Sequence, residues 1–90
     1  MENESPNVQI STVDELSRGR YSNSMLISHG SDEFIIDWLL QSPNGVHLVS
    51  RIIVSPAHLK RIVEALQDNL TKYEESFGDL HVNTAPQVVH

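Results

Sequence analysis

Apolar residues recur with the two-residue period of a β-strand in three consecutive segments of the chain. The segments run from Tyr21 to Ser28, from Glu33 to Gln41 and from Val46 to Val54, and the third is rich in β-branched residues. Two short sequences separate them, residues 29–32 and 42–45, in which glycine and proline favour tight reversals. The pattern predicts a three-stranded antiparallel β-meander.

The pattern changes to a helical period after Val54. Apolar residues then repeat at three- and four-residue steps, at Leu59, Ile62, Val63, Leu66, Leu70 and Tyr73. Ser55 is a good N-cap, Pro56 suits the first helical position, and Gly78 is a natural residue at which to end a helix. The sequence therefore predicts an α+β domain of β-β-β-α order with one long amphipathic helix.

The two ends of the chain are more polar than the segment between them. We interpret residues 1–19 as a flexible N-terminal arm, residues 20–78 as the β-β-β-α domain and residues 79–90 as a flexible C-terminal tail. The alternation from Val8 to Ser11 is too short to predict a strand.

Apolar residues are expected on both faces of the sheet, whereas one helix covers only one face. In the third strand, Val46, Leu48, Ile52 and Val54 are predicted on one side, and Val49 and Ile53 on the other. We expect a second copy of the chain to cover the remaining face, most simply in a two-fold dimer. The predicted interface residues are Ile35, Leu39, Val49 and Ile53. The alternative is that the N-terminal arm, with Val8, Ile10, Val13 and Leu16, folds over this face within one chain.

Charge and composition disfavour several classes of function. Twelve acidic residues against six basic ones give a net charge of −6, which opposes binding to phosphate backbones. The chain contains no cysteine, so it has no disulfide, thiolate zinc site or cysteine nucleophile. Because it also shows neither a signal peptide nor a long apolar run, we expect a cytoplasmic protein that does not span a membrane.

Residue types that can carry catalysis are present but do not form a recognisable constellation. Ser28, His29 and Asp32 surround a predicted hairpin turn, where such residues usually cap backbone amides. The five histidines lack the close spacing of a zinc helix or finger, and the glycines occupy turn and helix-end positions. We therefore predict no enzymatic activity, no metal site and no cofactor.

Three residues are candidates for contacts with a ligand or a partner: Asn23, Trp38 and Arg51. Arg51 is the one charge within an apolar strand, and Asp37 on the neighbouring strand is its expected ion-pair partner. Asn23 interrupts the apolar side of its own strand, so either the backbone or a bound partner is expected to satisfy its amide.

Several segments together resemble an uncharacterised prokaryotic family. They are Tyr21-Ser22-Asn23, Asp32-Glu33-Phe34, the run from Arg51 to His58 with its Arg-x-x-x-Ser-Pro-x-His pattern, the run from Leu66 to Glu74, and Phe77-Gly78. The chain resembles, over about residues 20–78, the domain-of-unknown-function family numbered 3467. This resemblance implies a small stand-alone domain and supplies no activity, cofactor or catalytic residue.

The sequence favours a homo-oligomeric adaptor or regulatory module that acts through protein–protein contacts. One alternative is a dimer that binds single-stranded nucleic acid through the sheet, using Arg18, Arg20 and Tyr21 at its edge. Another is a small-ligand-sensing module with a pocket near Asn23, Trp38 and Arg51.

Overall fold

The computed structural model describes residues 8–82, which form the predicted β-β-β-α order after one short helix. The elements are α1 (Asp14–Ser17), β1 (Ser24–His29), β2 (Phe34–Ser42), β3 (Gly45–Val54) and α2 (Pro56–Phe77). The predicted α+β class is confirmed, whereas α1 was not expected. Parts of the arm and of the tail, residues 1–7 and 83–90, lie outside the described residues.

The three strands form one antiparallel sheet in the order β1-β2-β3. The register sets Ile27 opposite Ile36 and Ile36 opposite Ile52, so one row of isoleucines crosses all three strands. Ser42 and Gly45 pair across the second turn, in which Pro43 and Asn44 are the central residues. Gly45 adopts a positive φ of +119° in this turn, whereas Asn44 does not.

A β-bulge in β3 changes which of its side chains share a face. Trp38 pairs with Ser50 and Leu39 pairs with Leu48, so Val49 is the extra residue on β3. The prediction that Val46 and Leu48 share a side with Ile52 and Val54 is therefore wrong. The bulge transfers the N-terminal part of β3 to the opposite face, so that Leu48 joins Ile53 beside Leu39.

The small core lies on the central strand. Ile36, Asp37 and Leu39, all on β2, are the buried residues of the described chain. Successive strand residues point to opposite faces, so Ile36 lies on one face and Asp37 on the other. The sheet thus has two partly covered faces rather than one closed core. We call them the Trp38 face, with Ile27, Ile36, Trp38 and Ile52, and the Ile35 face, with Ile35, Asp37, Leu39, Leu48, Arg51 and Ile53.

Helix α2 begins and ends where the sequence predicts. The Ser55 hydroxyl accepts a hydrogen bond from the His58 amide at 3.1 Å, and Gly78 follows the last helical residue with φ at +93°. None of the residues from Pro56 to Phe77 is buried, although Leu59 and Ile62 near the sheet are half-buried. The expectation that this helix covers one face of the sheet is wrong for most of its length.

The N-terminal arm does not cover the sheet either. Its apolar residues Val8, Ile10, Val13 and Leu16 are all exposed, and residues 8–11 form no strand. The alternative in which this arm closes the sheet within one chain is therefore not what the described residues adopt. Between residues 8 and 82, none of the helices has both the length and the hydropathy that crossing a membrane requires.

Candidate interaction surfaces

The Ile35 face brings together three of the four predicted interface residues. Ile35 lies directly opposite Ile53, Leu39 lies on the same face of β2 beyond Asp37, and Val49 occupies the bulge. Leu39 is 9% exposed, Ile35 and Val49 are half-buried, and Ile53 is 55% exposed. The face therefore has a covered centre on β2 and an uncovered edge on β3. Sequence reasoning missed Leu48 as a member of this face because nothing in the local sequence marks the bulge.

A second uncovered apolar surface runs along α2. We call it the helix stripe, and it consists of Leu59, Ile62, Val63, Leu66, Leu70, Tyr73 and Phe77. Leu66 is 61% exposed and Phe77 is 75% exposed, although both occupy the apolar side of the helix. The rings of Tyr73 and Phe77 pack together with centroids 4.9 Å apart, which continues the stripe through the last helical turn. Periodicity revealed the stripe in the sequence, but its exposure was not predicted.

Asp37 and Arg51 form the predicted ion pair across β2 and β3. Arg51 Nε donates to Asp37 Oδ1 at 2.6 Å and the second guanidinium nitrogen donates to Oδ2 at 2.9 Å. The hydrogen bond from Arg51 lowers the pKa of Asp37, burial opposes it, and the positive charge of Arg51 adds to the lowering. The same bond raises the pKa of Arg51. The Arg51 side chain is 55% exposed, so its outer side still faces solvent above an apolar sheet.

Asn23 uses its side chain to extend the sheet by one position beyond β1. Its Nδ2 donates to the Gln41 carbonyl at 3.0 Å, and its Oδ1 accepts from the Gln41 amide at 2.8 Å. The Asn23 amide nitrogen donates to the Leu39 carbonyl at 3.1 Å, and the Ser22 hydroxyl donates to the same oxygen at 2.8 Å. The sequence left open whether the backbone or a bound partner satisfies the Asn23 amide, and in the structure the backbone does so. A bound partner would have to displace Gln41 to use this amide.

Trp38 lies in a cleft of about 780 Å³ between the N-terminal segment and the Trp38 face. The cleft is lined by Glu15, Leu16, Gly19, Arg20, Tyr21, Ser22, Trp38, Val49 and Ser50. Two aromatic rings and one guanidinium therefore border the same space, beside one carboxylate from α1. The three residues predicted to contact a ligand do not meet in this cleft. Asn23 is hydrogen-bonded to Gln41, and Arg51 lies on the opposite face from Trp38.

The structure separates two of the residues considered for catalysis, and it groups no set of metal ligands between residues 8 and 82. Ser28 and His29 are successive residues of β1, so their side chains point to opposite faces of the sheet. The His29 ring packs against Phe34, with ring centroids 5.1 Å apart. Among residues 8–82, His, Asp and Glu side chains do not gather in groups of three or more that could hold a metal ion.

Comparison with known proteins places the chain in a family but supplies no activity. No curated protein and no solved structure matches it. One family model, described as a protein of unknown function (DUF3467), matches residues 1–82. The match includes the N-terminal arm, which lay outside the resemblance seen over residues 20–78. Because the matched region takes in all of the described strands and helices, the chain belongs to the DUF3467 family.

Proposed function

We propose that this protein is a homo-oligomeric adaptor or regulatory module, which is not an enzyme and which acts through protein–protein contacts. The observation that carries the proposal is the exposure of two ordered apolar surfaces, the uncovered edge of the Ile35 face and the helix stripe. Monomeric proteins rarely expose contiguous apolar patches above a few hundred Å², and larger ones usually mark interfaces.

The energetic argument concerns the size of the core. Burying a Leu, Ile or Phe side chain contributes about 1.5–3 kcal/mol, whereas a whole domain is stable by only about 5–15 kcal/mol. Only Ile36 and Leu39 are buried apolar residues among those described, so the isolated chain uses little of its apolar surface. Association of identical copies buries part of this exposed apolar surface and so stabilises the protein, because every copy carries the same patch.

The first experiment measures the mass of the protein in solution. Light scattering across the micromolar range should give at least twice the 10.1 kDa of one chain. Ile53→Lys places a charge on the uncovered edge and should weaken the assembly. His47→Lys, on the other face of the same strand, is the matched control and should leave the mass unchanged. A monomer at all concentrations would contradict the proposal.

A second candidate function is the binding of a ligand in the Trp38 cleft. Tyr21 and Trp38 offer rings on which a planar ligand can stack, and Arg20 supplies a positive charge beside them. Single-stranded nucleic acid has this chemistry, although the net charge of −6 and Glu15 in the same cleft oppose its approach.

The fluorescence of Trp38 separates the two candidates, because it is the only tryptophan of the chain. Titration with a mixed single-stranded oligonucleotide and, separately, with a nucleoside monophosphate should change the emission if the cleft binds either of them. Arg20→Ala should then weaken the effect, and Arg61→Ala on the outer side of α2 should not. Constant emission in both titrations would exclude these ligands and favour the interaction module.

A further inference from the structure

We infer that α2 is the dimerisation element of this protein, and that it pairs antiparallel with α2 of a second copy across a two-fold axis near Asp68. The inference rests on the proposed homo-oligomer and specifies which surface forms it and in which orientation. It moves the main contact from the sheet, where the sequence predicted it, to the helix stripe.

The spacing of the stripe is symmetric along the helix. Six of its seven positions lie in pairs at equal distances on either side of Asp68: Leu66 and Leu70 at two residues, Val63 and Tyr73 at five, Leu59 and Phe77 at nine. An antiparallel two-fold exchanges the members of each pair, so each of these six apolar side chains meets an apolar side chain of the other helix. A self-complementary surface of this kind is what an isologous interface requires.

The charges along α2 favour the antiparallel direction. Lys60 and Arg61 lie in the first turns, whereas four of the five charged residues from position 64 to position 77 are acidic. An antiparallel pair places the basic start of one helix beside the acidic end of the other and opposes the two helix dipoles. A parallel pair would place like charges together.

One ion pair between the copies can be specified. At 100° per residue, Lys60 and Glu74 lie on the same flank of the stripe. An antiparallel two-fold brings equal flanks of the two helices together, and it sets these two residues about 3 Å apart along the axis. In a parallel pair the flank opposite Lys60 carries His58, Ile62, Asn69 and Ser76, none of which is acidic.

The exposed apolar area of the helix stripe is large enough for a dimer interface only when part of the sheet is added to it. The exposed part of the stripe amounts to on the order of 500 Å² per copy, whereas stable interfaces bury about 800 Å² per partner. Only Ser55 separates β3 from α2, so the start of the helix lies beside the sheet. In the antiparallel pair, the partner's Phe77 therefore meets Leu59 close to the end of β3, where Ile53 on the Ile35 face is 55% exposed.

Single cysteines test the geometry, because the chain has none of its own. Gln67→Cys lies beside the two-fold axis and should form a disulfide with the same residue of the second copy under mild oxidation. Lys60→Cys and Glu74→Cys should not cross-link alone, since each lies far from its own equivalent, but a mixture of the two variants should give the mixed dimer. A disulfide formed by Lys60→Cys alone would indicate a parallel pair and overturn the inference.

A charge in the stripe tests the energetics. Leu66→Glu, which acts twice in a two-fold interface, should raise the dissociation constant of the dimer by at least about 100-fold. Ala65→Glu adds the same charge on the outer side of the helix and should leave the constant unchanged. If Leu66→Glu fails to fold, the cysteine experiments still decide.

The outcomes separate this inference from the proposed function. A monomer in light scattering would contradict both. A dimer that withstands Leu66→Glu and gives no disulfide through Gln67→Cys would retain the oligomer and overturn the helix pair, with the Ile35 face then the interface to examine.

Discussion

Asp37 and Arg51 face each other directly across β2 and β3, and two hydrogen bonds of 2.6 and 2.9 Å join the guanidinium to both carboxylate oxygens. The bidentate geometry is the strongest that a carboxylate and a guanidinium form. Asp37 is nearly covered by the apolar residues around it, so its charge depends on Arg51. The pair fixes the register of the two longest strands two residues after the bulge at Val49.

This pair predicts a specific acid dependence of stability. The pKa of Asp37 is lowered in the folded state by the hydrogen bond from Arg51, so the folded protein binds this proton less readily than the unfolded chain does. Its contribution is complete above the usual aspartate pKa of about 3.9 and is lost as the pH falls through the lower folded value. Urea unfolding of the wild type and of Asp37→Asn should therefore differ most near neutral pH, and the difference should shrink in acid. A difference that is the same at both pH values would contradict the assignment.

The cap of α2 predicts a moderate loss of stability. Ser55→Ala removes the acceptor for the His58 amide at 3.1 Å and should lower the free energy of unfolding by about 1 kcal/mol. Ser55→Asp should retain most of the wild-type stability, because the aspartate carboxylate accepts the same hydrogen bond. Ser76→Ala, an exposed serine of the last turn, is the control and should change little. Chemical denaturation measures all three.

Gly78 ends α2 in a conformation that other residues adopt with difficulty. Its φ of +93° predicts that Gly78→Ala costs about 1 kcal/mol, although there is open space where the Cβ would lie. Gly30 has equally open space and no positive φ, so Gly30→Ala is a matched control for the loss of glycine. Equal effects of the two substitutions would show that conformation at Gly78 does not matter.

The bonds between Asn23 and Gln41 predict that the amide cannot be replaced by a carboxylate. Asn23→Ala removes two hydrogen bonds to the Gln41 backbone and should cost about 1–3 kcal/mol. Asn23→Asp keeps an acceptor for the Gln41 amide but faces its carbonyl with negative charge, so it should be no better than alanine. Thermal unfolding of the two variants checks this, and a wild-type melting temperature for Asn23→Asp would contradict it.

Neighbouring leucines on the Ile35 face should respond differently to truncation. Leu39 is buried and Leu48, directly opposite, is exposed in one chain. Leu39→Ala should cost about 2–5 kcal/mol at any protein concentration, because it leaves a cavity in the core. The cost of Leu48→Ala should depend on concentration only if assembly covers this face. Unfolding measured at low and high protein concentration distinguishes the two cases.

Local sequence determined the three strands and the long helix of this protein. Alternation from Tyr21 to Val54, turn residues at 29–32 and 42–45, and the Ser55-Pro56 start of α2 sufficed for the β-β-β-α order, because each depends on interactions within a few residues. The partnership of Asp37 and Arg51 could also be predicted, since an isolated charge in an apolar strand requires a counterion on the next strand.

Tertiary structure alone decided which surfaces remain uncovered. The bulge at Val49 transfers Leu48 to the Ile35 face, and neither residue next to Val49 is a glycine or proline that would mark it in the sequence. The periodicity of α2 showed that one side of the helix is apolar. The same periodicity is expected whether that side packs on the chain's own sheet or on another copy. Where the helix lies relative to the sheet depends on contacts between residues far apart in sequence, and these left the stripe from Val63 to Phe77 in solvent.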